Sequence, residues 1–169
     1  MKVINLIGPP GAGKSTTAAG LFFLLKLDGL KVELVTEYAK DLVYENRLQY
    51  LDQLYIFAKQ YRRLSRLIGV VDYVVTDGPL LLSLYYCSKD LPKSFSNFVK
   101  DVVDTFDNKY YFINRVKPYM NYGRIQSEER SDKIAAELKK LLVVEGVDFV
   151  EVDGDKNGPG QIYGDIMVL

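Results

Sequence analysis

The chain has 169 residues with 22 Lys and Arg against 22 Asp and Glu, a formal charge of zero that argues against a broad electrostatic grip on duplex DNA or an anionic membrane. It has no histidine and one cysteine, Cys87, which excludes Ser-His-Asp and Cys-His chemistry and leaves no disulfide framework. The length predicts one domain over residues 1–169, and the composition predicts a reducing, cytoplasmic setting with no leader and no membrane span.

Residues 2–7 read as a buried strand, Val3-Ile4-Asn5-Leu6-Ile7 being its apolar body. Gly8-Pro9-Pro10-Gly11-Ala12-Gly13-Lys14-Ser15 follows, with Thr16 after it, and matches G-x-x-x-x-G-K-[ST]. Each part of this loop has a physical task. The glycines Gly8, Gly11 and Gly13, with Pro10 and Ala12, let backbone N–H groups turn inward around phosphates. Lys14 adds a charge near the β- and γ-phosphates, and Ser15 offers a hydroxyl to Mg²⁺. A helix over 14–27 aims its positive dipole end at the same anion and closes at Gly29. A plain strand–turn–helix corner needs glycine but has no use for Lys14 and Ser15 together, so a nucleoside triphosphate with Mg²⁺ is the expected ligand.

A second strand over 31–36 ends in Thr36-Glu37-Tyr38-Ala39-Lys40. Glu37 stands where a carboxylate can orient or deprotonate an acceptor hydroxyl; the plainer reading is a dipole-favoured glutamate in a first helical turn. A long helix over 41–67, with a break near Asn46, puts Lys59, Arg62, Arg63 and Arg66 on one face. Arg63 or Arg62 can reach an acceptor phosphate, and Gln60 or Gln53 a base edge; a solvated basic face is the alternative.

The third strand, 71–76, ends at Asp77-Gly78-Pro79. Asp77 suits the Mg²⁺ shell or the acceptor's proton, and also suits a helix N-cap before Pro79. A helix over 79–88 carries Cys87 as a small core residue, and another over 95–106 starts from Ser94 as its cap.

A fourth strand over 109–114 leads into Arg115, Lys117, Pro118, Tyr119, Tyr122 and Arg124. This basic, turn-rich segment, about 115–127, is placed to act as a lid over the transferring phosphoryl group. A helix over 127–145 begins at Ser127 and ends at Gly146. The fifth strand, 147–152, ends at Asp153-Gly154-Asp155. Of the 13 tyrosines, Tyr38, Tyr119 and Tyr122 are the ones expected to touch a ligand.

Strands alternating with helices predict an α/β protein: a three-layer P-loop NTPase fold with a mainly parallel five-stranded sheet, flanking helices and a small lid. The site then lies at the carboxyl ends of the strands.

On Gly8 to Thr16, Thr36 to Lys40, Val74 to Pro79 and Asn114 to Glu128, the chain resembles small P-loop kinases of the nucleoside and nucleotide kinase group. Within that group it looks most like the ribosylnicotinamide-kinase-related domains common in phages. The resemblance implies transfer of the ATP γ-phosphoryl to a nucleoside or nucleoside monophosphate. It makes Glu37 and Asp77 the acidic pair and Arg115 and Arg124 the lid cations, and it puts Asp153 near the adenine. It also admits modified-base or polynucleotide DNA kinases, so DNA is a possible acceptor. The oligomeric state is open.

The pattern departs from many nucleoside kinases in one place: Gly78 stands where an arginine often follows the third-strand acid. A GTPase would need Asn-Lys-x-Asp after the fourth strand, and Asn108-Lys109-Tyr110-Tyr111 lacks the aspartate. A motor-type ATPase would end a strand in Asp-Glu. Acceptor-independent ATPase activity and a non-catalytic nucleotide-binding module remain as competing classes.

Overall fold

The structure is a computed structural model and describes residues 1–87, 91–120 and 126–168. Its centre is a parallel sheet of five strands: β1 (Lys2–Ile7), β2 (Val32–Val35), β3 (Tyr73–Thr76), β4 (Asp107–Asn114) and β5 (Phe149–Asp153), in the order β2-β3-β1-β4-β5. Register runs Val35 to Thr76 between β2 and β3, Asn5 to Thr76 between β1 and β3, and Asn114 to Asp153 between β4 and β5. The strands that precede the phosphate loop and Asp77 are therefore direct neighbours. A buried asparagine in β1 is satisfied rather than strained: Asn5 donates to Val3 O at 3.0 Å and to Asn108 Oδ1 at 2.9 Å.

Helices cover both faces, giving the expected three layers. On one face, α1 (Lys14–Leu27) and α7 (Gly158–Met167) bury Ala18, Leu21, Leu25, Ile162 and Ile166 against Ile4, Leu6, Val75 and Tyr111. On the other, α3 (Gln53–Ser65), α5 (Lys93–Val103) and α6 (Glu128–Val144) bury Phe57, Leu64, Val99, Ile134 and Leu138 against Val3, Ile7, Val74 and Phe112. This two-sided cover is why the strands read as continuous apolar runs. No helix among the described residues is long and apolar enough to cross a membrane.

The expected helix over 41–67 is in fact three pieces. α2 (Tyr38–Tyr44) ends in a Schellman motif: Arg47 N bonds Leu42 O at 2.8 Å, Asn46 N bonds Val43 O at 3.2 Å, and Asn46 takes a left-handed φ of 54°. A 3₁₀ turn at Leu48–Tyr50 follows, and Asp52 then caps α3, accepting from Tyr55 N at 3.0 Å.

The 79–88 helix shrinks to α4 (Leu82–Tyr85), preceded by single turns. α5 begins at Lys93 with Pro92 at the cap position, so Ser94 lies inside the helix rather than capping it. Ser127 does cap α6, accepting from Arg130 N at 3.2 Å. Gly29 and Gly146 end their helices with φ of 74° and 66°.

The α7 helix has no counterpart in the sequence reading. Gly158-Pro159-Gly160 looks like a breaker, but proline in the first turn loses only an N–H that has no intrahelical partner. Asp155 Oδ1 supplies the cap by accepting from Asn157 N and Gly158 N at 2.8 and 3.0 Å.

Candidate functional site

The phosphate loop is built by close packing around its glycines. Gly11 and Gly13 hold φ of 82° and 101°, which side chains resist. Behind the loop, a Cβ on Gly154 would fall 1.8 Å from Ala12 O. Ser131, fully buried on α6, donates to Pro10 O at 2.6 Å and ties the loop to the helix. The Tyr119 ring covers Gly11, and its hydroxyl donates to Gln126 O at 2.6 Å. Neither Ser131 nor Gly154 was singled out from sequence for this role. Its only trace is that Ser131 shares the buried stripe of Ile134, Leu138 and Leu142.

Asp77 is the hinge of the site. Its carboxylate is 2% exposed, and it accepts from Ser15 Oγ at 2.5 Å and from Glu37 N at 2.9 Å. One side chain thus joins α1, the end of β2 and the end of β3. Lys40 Nζ reaches Ser15 Oγ at 3.3 Å from α2. Lys14 Nζ folds back on Gly8 O and Pro9 O at 2.9 and 3.2 Å.

A cleft of about 420 Å³ opens from this corner. Gly8, Pro10, Gly11, Gly13, Lys14, Ser15 and Thr16 line one end. Glu37, Tyr38 and Gln60 lie in the middle. Val43, Leu51, Ile56, Leu80 and Leu82, with Gln53, Ser83 and Tyr86, form an amphipathic far end. Volume and lining suit a small organic ligand beside the phosphate loop.

Burial holds the Glu37 carboxyl above the usual glutamate range; Lys14 opposes this and Asp77 adds to it. The Tyr86 hydroxyl is also pushed up, by burial first and then by the Glu37 charge. Tyr38 donates to Tyr55 Oη at 3.1 Å, and this bond holds its phenol up at about 12.

The remaining sequence candidates divide. Gln60 is 4% exposed; its Oε1 accepts from Tyr38 N at 2.9 Å and its Nε2 donates to Thr36 O at 3.2 Å, so it positions the floor of the cleft. Arg63 lies outside the cleft lining, donating to Thr36 O at 3.0 Å and pairing with Asp41.

Arg115 pairs with Glu128 at 2.6 Å and with Asp132. Its Nε is buried without a hydrogen-bond partner among the described residues, and its Cδ lies 3.8 Å from where a Gly11 Cβ would stand. Asp153 is exposed at the end of β5, outside the cleft lining. Arg124 and Tyr122 lie outside the described residues.

Gly78 has a steric reason. A Cβ there would meet Glu37 Cα at 2.8 Å and Gln60 Nε2 at 3.0 Å, so neither the arginine of many nucleoside kinases nor the second acid of a motor ATPase fits.

The loop, its adjoining helix dipole and the Ser15–Asp77 pair meet at one corner, and a family model described as AAA domain matches residues 3–157. The chain belongs to the AAA domain family. No curated protein matches it. An AAA domain with a P-loop is a nucleotide-binding fold.

The same corner fits Mg²⁺. A hydroxyl and a carboxylate meet beside the phosphate position, and no cluster of three acidic, cysteine or histidine side chains stands among the described residues. That donor set suits an ion held by one or two protein groups together with nucleotide phosphates and water.

Proposed function

We propose that this AAA domain transfers the γ-phosphoryl group of ATP to a hydroxyl of a nucleoside- or nucleotide-type acceptor seated in the cleft. The observation that carries the reading is Glu37: a carboxyl with a raised pKa lining the same cleft as the phosphate loop. An ATP-hydrolysing motor has no need of an acceptor cleft, and Gly78, with no room for a side chain, stands where such a motor would carry its second acid. The resemblance to ribosylnicotinamide-kinase-related domains supports the same class.

The chemistry balances on the chain's own residues. The loop N–H groups and Lys14 hold the β- and γ-phosphates; Lys14 leaves Gly8 O and Pro9 O to do so. Ser15 and Asp77 would hold Mg²⁺, which when bound neutralises charge on the phosphate oxygens. The acceptor oxygen attacks the γ-phosphorus. The bond from that phosphorus to its bridging oxygen breaks, and ADP leaves with the electron pair. The acceptor's proton passes to the Glu37 carboxylate.

Arg115, whose Nε has no hydrogen-bond partner among the described residues, and Arg124 would supply lid charge for the γ-phosphoryl. On this reading Asp77, bonded to Ser15 Oγ and Glu37 N beside the phosphate loop, holds the metal, and Glu37 is the base.

The test is Glu37→Gln. Turnover falls by roughly 10²- to 10⁴-fold with ATP affinity little changed. Unchanged turnover would move the base elsewhere or remove it from the mechanism.

A further inference from the structure

The stretch 38–68 carries six Lys and Arg against three Asp and Glu, so the rest of this neutral chain is net negative. The three acids are already engaged. Asp41 pairs with Arg63, Glu45 pairs with Arg47, and Asp52 caps α3. Lys40, Lys59, Arg62 and Arg66 make no ion pair with a described residue, and the last three, on α3 and its C-cap, share one exposed stripe with Tyr55.

Aromatic rings alternate with these cations. Tyr44, Tyr50 and Tyr55 are 41% to 53% exposed. Lys59 Nζ lies 5.2 Å from the Tyr55 ring centre and Lys40 Nζ 5.8 Å from that of Tyr44. Tyr55 meets the Tyr38 ring edge-on at 5.7 Å, and Tyr38 lines the cleft. The stripe is therefore continuous with the candidate acceptor site.

We propose that this stripe binds single-stranded nucleic acid and leads one nucleotide of it into the cleft. Exposed rings offer stacking platforms for unpaired bases, and the interleaved cations track the phosphates. A duplex keeps its bases stacked and cannot use the rings, and a formal charge of zero argues against a broad electrostatic grip on it. The cleft is large enough for one splayed nucleoside. The catalytic meaning rests on the phosphotransfer reading above; the binding does not.

The experiment uses the whole chain without ATP. Binding is measured by fluorescence anisotropy for a labelled 20-nucleotide oligothymidylate, an equal-length duplex and polyglutamate. The single strand is expected to bind at least about tenfold tighter than either competitor. Tyr55→Ala loses about tenfold, Tyr55→Phe retains binding, and Lys59→Ala and Arg66→Ala each lower the salt slope by about 0.7.

Equal binding of polyglutamate or duplex, or an unchanged affinity in Tyr55→Ala, would overturn the proposal and leave a solvated helix face. If the single strand binds as expected but labelled ATP passes phosphate to no acceptor, the phosphotransfer reading fails and the binding surface stands.

Discussion

At the scale of single residues, the site turns on two carboxylates with divided work. Asp77 is buried and bonded on both oxygens, a fixed point between helix and strands; Glu37 lines the open cleft with its proton held more tightly than in a free glutamate. The raised pKa has two consequences. The acidic limb of kcat/KM lies above the ordinary glutamate pKa and vanishes in Glu37→Gln. It also makes the ionised carboxylate a cost to the fold, absent below the unfolded-state pKa and complete above the folded-state pKa. Glu37→Gln therefore raises the melting temperature at pH 7 while slowing turnover, and a lower melting temperature would contradict the burial argument.

Lys14→Ala is expected to lose at least about a hundredfold in kcat while circular dichroism and melting stay near wild type. Its Nζ bonds only add to a loop that glycines and Ser131 already shape. Ser131→Ala removes one buried bond to Pro10 O, about 1 kcal/mol, and weakens ATP binding measured by calorimetry.

The phosphate loop was legible in sequence because its chemistry is local, and Glu37 and Asp77 were legible as strand ends. Arg63 and Arg115 were visible as charges but not as partners. Asp41, Glu128 and Asp132, which hold them, come alongside only through tertiary packing.

At the scale of elements, all five strands stand within two residues of their expected ends, since buried parallel strands leave unmistakable apolar runs. The helices were less readable where local rules compete. The 41–67 pattern is periodic throughout, but Asn46 in a left-handed conformation and Asp52 as a cap divide it, and the bend brings Val43, Leu51 and Ile56 to the cleft. α7 was hidden by its glycines and proline.

The place of α7 can be tested at Gly20 on α1, where a Cβ would stand 2.7 Å from Pro159 Cγ. Gly20→Leu is expected to destabilise by about 1–3 kcal/mol in urea titration, despite leucine's better helix propensity. A gain in stability would mean that the two helices do not pack there.

At the scale of the molecule, the strand order β2-β3-β1-β4-β5 sets which strand ends lie side by side. With β1 and β3 adjacent, the phosphate loop, Asp77 and Glu37 meet at one edge of a shared cleft, and the α2–α3 segment walls its far side. In the proposed reaction, donor and acceptor would then share one opening.

The most direct test supplies γ-labelled ATP with nucleosides, nucleoside monophosphates, nicotinamide riboside, and plain or hydroxymethylated oligonucleotides, and follows where the label goes. Label is expected on one acceptor class, with ATP consumption that stops without it and loss of both in Glu37→Gln. Release of free phosphate at the same rate with or without any acceptor would contradict phosphotransfer.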